Sequence, residues 1–187
     1  LEKEDTISKP KSGHKLYLTP DELKLFMASE ETNGVRETQL AFGFACLTGL
    51  RISDIRALRW SNIMRNEATN TLVIVQKKTK ELNAVPICST AEAWMPPKKD
   101  DKVFHLPAHA NVDAALKRIA KKVGITKTIS FHTSRHTFGT LIQAATGDIE
   151  TTKKLMGHKS LKSTAVYADV LTEEKVKAIS NTKTVFR

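Results

Sequence analysis

Six side chains suit phosphate chemistry: five lie in four short segments of the chain, and the sixth follows the last segment. The segments are TGLRISD at 48–54, QKKTK at 76–80, HTSRH at 132–136 and LMGH at 155–158, which is followed by a tyrosine. The six side chains are those of Arg51, Lys78, His132, Arg135, His158 and Tyr167. Guanidinium groups match pairs of phosphate oxygens, and ammonium and imidazole groups add donors and positive charge. The set therefore predicts a site that surrounds a tightly held phosphate.

A tyrosine beside such a cluster would serve as an oxygen nucleophile, because the positive field favours its phenolate form. The sequence has no cluster of Asp and Glu at metal-ligand spacing, so fixed protein cations would neutralise the transition state. Attack on a phosphodiester would give a phosphotyrosyl intermediate that conserves the bond energy for resealing. We therefore expect neither a metal nor a cofactor.

Each residue also has an ordinary interpretation when it is taken alone. Arg51 could be a surface arginine, His158 a helix-end residue favoured by the helix dipole, and Tyr167 a core aromatic. His132 and His136 have the i, i+4 spacing of zinc ligands, but no Cys pair or Glu completes such a site. The joint occurrence of the segments in this order favours the phosphate site.

The composition of the chain indicates which class of partner it binds. The 187 residues suit one domain, and 30 Lys and Arg against 20 Asp and Glu give a net charge of +10. This excess favours a polyanion through counterion release. No apolar run approaches the ~20 residues of a membrane span, and the polar start lacks a secretory signal. We expect a cytoplasmic, nucleoid-associated protein without a membrane partner, in which Cys46 and Cys88 are reduced core thiols.

Helical periodicity dominates the chain. Thr19, Pro20 and Glu22 predict a helix start with a capping box, and a gap is expected over 29–35. Further helices are predicted over 37–47, 53–58, 111–123, 134–145, 148–156 with Asp148 as the cap, and 160–167. Glycines at 49, 147 and 157 are expected to end helices.

Only residues 71–76 and 82–87 form a convincing strand pair, with the polar segment KKTKE as the turn. The fold class is therefore mainly α with a small antiparallel β-hairpin or sheet (α+β). Residues 1–15 are predicted to be a linker or tail.

The quoted segments resemble the tyrosine recombinase (phage integrase) family over nearly all of residues 17–170. TGLRISD resembles the first arginine segment, KTKELNAVP the lysine hairpin, HTSRHTFGT the His-x-x-Arg box, and LMGHKSLKSTAVYADV the final box. The resemblance implies a tyrosine-recombinase catalytic-domain fold over 16–170. It also implies a site-specific recombinase that cuts and rejoins double-stranded DNA through a 3′-phosphotyrosyl intermediate, for integration or excision of a mobile element.

The resemblance implies a role for each residue. Arg51 and Arg135 would hold the non-bridging oxygens of the scissile phosphate. His132 and His158 would hydrogen-bond the phosphate or assist proton transfer. Tyr167 would become linked to the 3′ phosphate.

For the hairpin, the resemblance implies a general acid that protonates the leaving 5′ oxygen. Alternation along a strand puts Lys77 and Lys78 on opposite faces, and Lys78 falls where the family lysine lies. Asp54 would orient an arginine or histidine. The lysines proposed to bind DNA are Lys77, Lys80, Lys159 and Lys162, and a plain solvated surface is the alternative for them.

The resemblance also implies an amino-terminal core-binding domain outside this chain and a homotetramer on DNA. Residues 171–187 would dock onto a neighbouring subunit, the isolated domain would be a monomer, and accessory DNA-bending proteins could assist. One alternative is a type IB topoisomerase, which would relax plasmid without recombinant products. A second is a non-cleaving DNA-binding regulator, which would bind without forming an adduct.

Overall fold

The structure, a computed structural model, describes residues 16–65, 69–75, 80, 82–158 and 164. Its α-helices are α1 (Pro20–Ala28), α2 (Asn33–Thr48), α3 (Ile52–Ala57), α4 (Ser89–Ala93), α5 (His109–Lys122), α6 (Phe131–Thr146) and α7 (Ile149–Met156). A 3-10 helix spans Trp60–Asn62, and the strands are β1 (Ile63–Met64), β2 (Thr71–Val75) and β3 (Leu82–Pro86).

Helix α2 is the centre of the domain and packs against α1, α4, α5 and α6. Its Phe42 ring lies 5.0 Å from Phe26 of α1 and 5.9 Å from Phe131 of α6, between ring centroids. These rings are at most 1% exposed, and burying each one contributes about 1.5–3 kcal/mol. Helix α2 and the start of α6 are therefore fixed by one aromatic and aliphatic core, whereas Phe138 of α6 and Met156 of α7 form a second, smaller cluster.

Local capping signals placed several helix ends correctly. The Thr19 hydroxyl accepts from the Glu22 amide at 3.2 Å, and the Glu22 carboxylate accepts from the Thr19 amide at 2.8 Å, which confirms the predicted capping box. Gly49, Gly147 and Gly157 end α2, α6 and α7 with φ of 69°, 65° and 59°. These left-handed values explain why glycine stands at each position.

Other boundaries were predicted wrongly. Helix α2 begins at Asn33, so the non-helical gap covers only 29–32; Val35, placed in the gap by prediction, packs on the core. Helix α3 begins at Ile52 with Arg51 as N-cap rather than with Ser53. Helix α5 begins at His109, two residues before its predicted start.

The start of α6 matters most for the site. The helix begins at Phe131, not at Ser134, because Ser130 and Thr133 cap each other through side chain and backbone. The Ser134 hydroxyl instead donates back to the Phe131 carbonyl at 2.7 Å, inside the helix. The correction puts His132 and Arg135 in the first two turns of α6.

The sheet has the strand order β1-β2-β3, and both pairings are antiparallel. The predicted antiparallel strand pair is confirmed, with Leu72 opposite Val85, Ile74 opposite Asn83, and Val75 opposite Leu82. The predicted turn at 77–81 lies outside the described residues except for Lys80. The structure adds a third strand that was not predicted, because the two residues of β1 pair with β2. A strand of that length is too short to show an alternating pattern in sequence.

The two cysteines differ in their exposure to solvent. Cys46 is buried in α2, where burial raises the pKa of its thiol. Cys88 is exposed at the N-cap of α4, so the prediction that it is a core thiol is wrong. Within the described ranges, no helix combines the length and apolar character that crossing a membrane requires.

Candidate active site

Arg135 joins three of the motif-bearing elements. The side chain is 3% exposed, and its two terminal nitrogens donate to the carbonyl oxygens of Gly49 and Met156. Gly49 caps α2, and Met156 is the last residue of α7. The last carbonyls of a helix lack intrahelical partners and carry negative dipole charge, so one guanidinium satisfies two helix ends. The bonds hold segment 48–54 close to segment 155–158.

Glycine is required at position 49, in the first motif, for a steric as well as a conformational reason. A Cβ atom at Gly49 would collide with the ring of Phe138, which is buried on α6. The glycine therefore lets the end of α2 approach α6 closely enough for its carbonyl to meet Arg135. Arg51 follows as the N-cap of α3 and is half-buried.

A cleft of about 390 Å³ brings together three of the predicted phosphate-binding side chains, those of Arg51, His132 and Arg135. The polar side chains on its wall include those of Arg51, His132, Arg135, Ser130, His109 and Asp113. Helices α5 and α6 both begin at this cleft, so their positive dipole ends and first backbone amides lie along its wall. Asp113 is a negative group there, and its carboxylate accepts from the Phe131 amide at 3.0 Å. With two arginines at the wall, the cleft suits an anion.

His158 is held by the end of α7. Its amide donates to the Lys153 carbonyl at 3.0 Å, and its Nδ1 lies 2.9 Å from the hydroxyl oxygen of Thr164. Thr164 is fully buried. Arg135 binds the carbonyl of Met156, and His158 comes two residues after Met156. The guanidinium and this imidazole therefore belong to one connected unit.

His132 is exposed at the start of α6, and its ring packs edge-on against His136 with centroids 4.6 Å apart. His136 is half-buried, which agrees with a structural role for this side chain. Among the residues that the structure describes, no group of three His, Cys, Asp or Glu side chains is placed to hold a metal ion.

Asp54 occupies a different position from the cleft. It is 4% exposed on α3, and the Ser53 hydroxyl donates to its carboxylate at 3.5 Å. It lines a cavity of about 130 Å³ together with Ile74 and Val75 of β2. The structure thus puts this carboxylate beside the strand that leads towards the lysine segment.

Of the hairpin lysines, Lys80 is described: it is exposed, with φ of 60°. The remaining predicted residues lie outside the described ranges; they are Lys77, Lys78, Lys159, Lys162 and Tyr167. The predicted linker 1–15, nearly all of the predicted helix 160–167, and the tail 171–187 lie outside them as well.

Sequence reasoning missed Asn83, whose side-chain amide donates to the Leu155 carbonyl of α7 at 3.2 Å. A polar residue at an inward position of the apolar run LNAVPI was the available signal. It also missed His109 and Asp113, whose side chains lie 3.4 Å apart on the cleft wall. The spacing of these two fits any solvated helix, so no signal distinguished them.

The architecture is a mainly helical domain with a three-stranded antiparallel sheet and a cleft lined by two arginines. The profile of the Phage integrase family matches residues 16–174. The chain belongs to the phage integrase family, so the resemblance drawn from its four segments is confirmed.

Curated relatives agree with this assignment. The tyrosine recombinase XerD of Lacticaseibacillus casei is 27% identical over 192 residues, which cover 91% of this chain and 64% of XerD. The integrase of Escherichia phage P2 is 28% identical over 173 residues, which cover 92% of this chain and 47% of that integrase. The chain spans about half the length of the curated relatives it matches, from 40% to 64%.

Solved structures show the same fold. The XerH site-specific recombinase, in a post-cleavage complex with palindromic difH substrate, has a TM-score of 0.73 at 21% identity, covering 89% of this chain and 53% of XerH. The catalytic domain of bacteriophage HP1 integrase has a TM-score of 0.64 at 22% identity, covering 82% of this chain and 87% of that domain. The predicted tyrosine-recombinase catalytic-domain fold is confirmed.

Proposed function

We propose that this chain is the catalytic domain of a site-specific DNA recombinase that cleaves and rejoins double-stranded DNA through a 3′-phosphotyrosyl intermediate at Tyr167. The observation that carries the proposal is the unit centred on Arg135. Arg135 lines one cleft with Arg51 and His132, and its guanidinium binds the end of α7 just before His158. Residues from three distant segments are thereby gathered in the way that a phosphate site without a metal needs.

In this mechanism, Arg51 and Arg135 bind the non-bridging oxygens of the scissile phosphate. A guanidinium has more N–H donors than two carbonyls take, so Arg135 can bind Gly49, Met156 and a phosphate oxygen together. The positive ends of α5 and α6 add to the stabilisation of charge that develops on the phosphorus centre. His132 and His158 donate hydrogen bonds to the phosphate or relay the nucleophile's proton.

The chemical step forms one bond and breaks one. The Tyr167 oxygen attacks phosphorus and loses its proton, while the bond to the 5′ oxygen breaks and Lys78 protonates that oxygen. In the second half, a 5′ hydroxyl of a partner strand attacks the phosphotyrosine and releases the phenol. No cofactor is consumed, because the phosphodiester energy stays in the covalent intermediate.

We infer the remaining organisation from family membership and the positive net charge of +10. Residues 16–170 form the catalytic domain, and residues 171–187 dock onto a neighbouring subunit of a DNA-bound homotetramer. Asp54 positions a neighbouring group, and Lys77, Lys80, Lys159 and Lys162 contact the DNA backbone. Integration or excision of a mobile element in the cytoplasm, on nucleoid DNA and with accessory bending proteins, is the biological setting.

Covalent capture tests the proposed function and finds the target site in the same experiment. The protein is incubated with a random-sequence library of nicked duplexes, on which cleavage releases a short fragment and traps the enzyme. DNA that stays bound to protein in hot SDS is recovered and sequenced. The expected result is an enriched sequence from the wild-type chain and none from Tyr167→Phe.

The chain supplies its own matched control, because Tyr17 is its other tyrosine. Tyr17→Phe should capture the same sequence as the wild type. An SDS-resistant adduct formed by Tyr167→Phe, or none formed by the wild type, would contradict the proposed function.

A further inference from the structure

One buried polar side chain connects the sheet to the cleft unit. Asn83 is 8% exposed and lies on β3 at the inward face of the sheet, which it shares with Val85 of β3 and with Leu72 and Ile74 of β2. Its side-chain amide donates to the Leu155 carbonyl in the last turn of α7 at 3.2 Å. An amide in an apolar environment is costly unless it is hydrogen-bonded, so this bond decides whether Asn83 is tolerated there.

The bond ends beside the one made by Arg135. Leu155 and Met156 are consecutive residues, and their carbonyl oxygens accept from Asn83 and Arg135 respectively. The other terminal nitrogen of Arg135 donates to the Gly49 carbonyl. The last turn of α7 is therefore the place where the hairpin, α6 and the end of α2 are tied together, two residues before His158.

The strand pairing extends this connection towards the lysine segment. Asn83 lies opposite Ile74, and the next residue of β2, Val75, leads in sequence directly to 76–80. Val75 and Leu82, which close the described part of the ladder, are 62% and 70% exposed, so the core does not fix that end. The Asn83 bond is thus the side-chain hydrogen bond that anchors β3 to α7 within the described residues.

We propose that Asn83 is a positioning residue, which sets the hairpin against the end of α7 so that the hairpin's general acid and His158 act on the same phosphate. The inference rests on the proposed function. It assigns to Asn83 a part in leaving-group protonation rather than in core packing, which leucine would serve better at an inward position.

A leaving-group substitution separates positioning from packing. Asn83→Leu keeps the number and branching of the side-chain heavy atoms and removes the donor, and Asn83→Ala removes the donor with a smaller side chain. Both are assayed on a captured nicked duplex and on the same duplex with sulfur in place of the 5′ bridging oxygen. A thiolate leaves without a proton, so a misplaced acid costs nothing on the sulfur duplex.

We expect Asn83→Leu to cleave the oxygen duplex about 10²-fold more slowly, because a displacement of the general acid by about 1 Å has an effect of that size. The same variant should cleave the sulfur duplex at nearly the wild-type rate. DNA affinity should be unchanged. Val85→Ala is the matched control, since Val85 is 2% exposed on the same face of β3 and packs without a side-chain hydrogen bond. It should lower the melting temperature yet leave the oxygen-to-sulfur rate ratio at the wild-type value.

The proposal is overturned if both Asn83 variants cleave the oxygen duplex at the wild-type rate, or if sulfur fails to restore either of them. It is also overturned if Val85→Ala shows the same restoration by sulfur. A wild-type chain that cleaves neither duplex contradicts the proposed function instead, so the two failures are distinguishable.

Discussion

The helical centre and the three-stranded sheet hold their functional residues in different ways. In the centre, Arg135 is 3% exposed and its guanidinium binds the ends of two helices. In the sheet, the last paired residues before the lysine segment, Val75 and Leu82, are mostly exposed. The arginine is part of what holds the fold together, whereas the strands that flank the lysine segment are held by their pairing and by the bond from Asn83.

The difference separates stability from chemistry. A change at the centre should lower the free energy of unfolding and the cleavage rate together, because one side chain serves both. A change in the hairpin should slow the leaving-group step or weaken DNA binding while the fold persists. Variants of the two regions test this division, beginning with the largest effect.

Lys78→Ala should slow cleavage by about 10²–10⁴-fold, the usual contribution of a general acid, without changing the free energy of unfolding. The measurement is single-turnover cleavage of a captured nicked duplex. Sulfur at the 5′ bridging position should restore the rate, because a thiolate needs no proton to leave.

Lys77→Ala and Lys80→Ala are the matched controls on the same hairpin, and they should mainly weaken binding. If sulfur restored one of them and not Lys78→Ala, the general acid would be the wrong lysine.

Arg135→Ala should lower the free energy of unfolding by about 3 kcal/mol, because it leaves two buried carbonyls without their charged donor. Urea denaturation measures this effect. Arg135→Lys should also be less stable than the wild type, since an ammonium cannot bridge both carbonyls as the planar guanidinium does.

Lys80→Ala, on the exposed hairpin, should change the free energy of unfolding by less than about 0.5 kcal/mol. Equal stability losses at Arg135 and Lys80 would show that the two regions do not differ as described.

Deletion from Thr172 onwards should reduce strand exchange between two sites while DNA affinity stays close to that of the full chain. The physical reason is that the tail is proposed to contact a neighbouring subunit rather than DNA. Recombination assays measure strand exchange, and electrophoretic mobility shifts measure DNA affinity. Unchanged recombination would refute the proposal that the tail couples neighbouring subunits.

EDTA should have no effect on cleavage, because the proposed site uses arginine, lysine and histidine in place of a metal. The assay is adduct formation with and without the chelator. Loss of activity that magnesium or zinc restores would defeat the proposed mechanism.

Sequence reasoning succeeded where the determinant is local. Thr19 with Glu22 specifies a capping box within one turn, and Gly49 specifies a left-handed helix end. The four motif segments were recognisable because residue type and order alone define them. The strands β2 and β3 were likewise predicted from two local apolar runs with a polar segment between them.

The failures arose where distant contacts decide. Asn83 and Leu155 are far apart in sequence, and no local pattern reports that an amide will meet a helix end. The predicted part of Asp54 stays a prediction, but its place in a cavity with Ile74 and Val75 of β2 is likewise not revealed by its own segment. The start of α6 was placed three residues late, because the reciprocal capping of Ser130 and Thr133 was not recognised in the sequence.

Mapping the covalent adduct tests the central claim most directly. The captured adduct is digested with trypsin and nuclease, and the nucleotide-bearing peptide is sequenced by mass spectrometry, with the label placed on either end of the cleaved strand. The nucleotide is expected on the peptide that contains Tyr167, attached through a 3′ phosphate, with a 5′ hydroxyl on the released fragment. A nucleotide on Tyr17 or another residue, or a 5′-phosphate linkage to the protein, would contradict the mechanism.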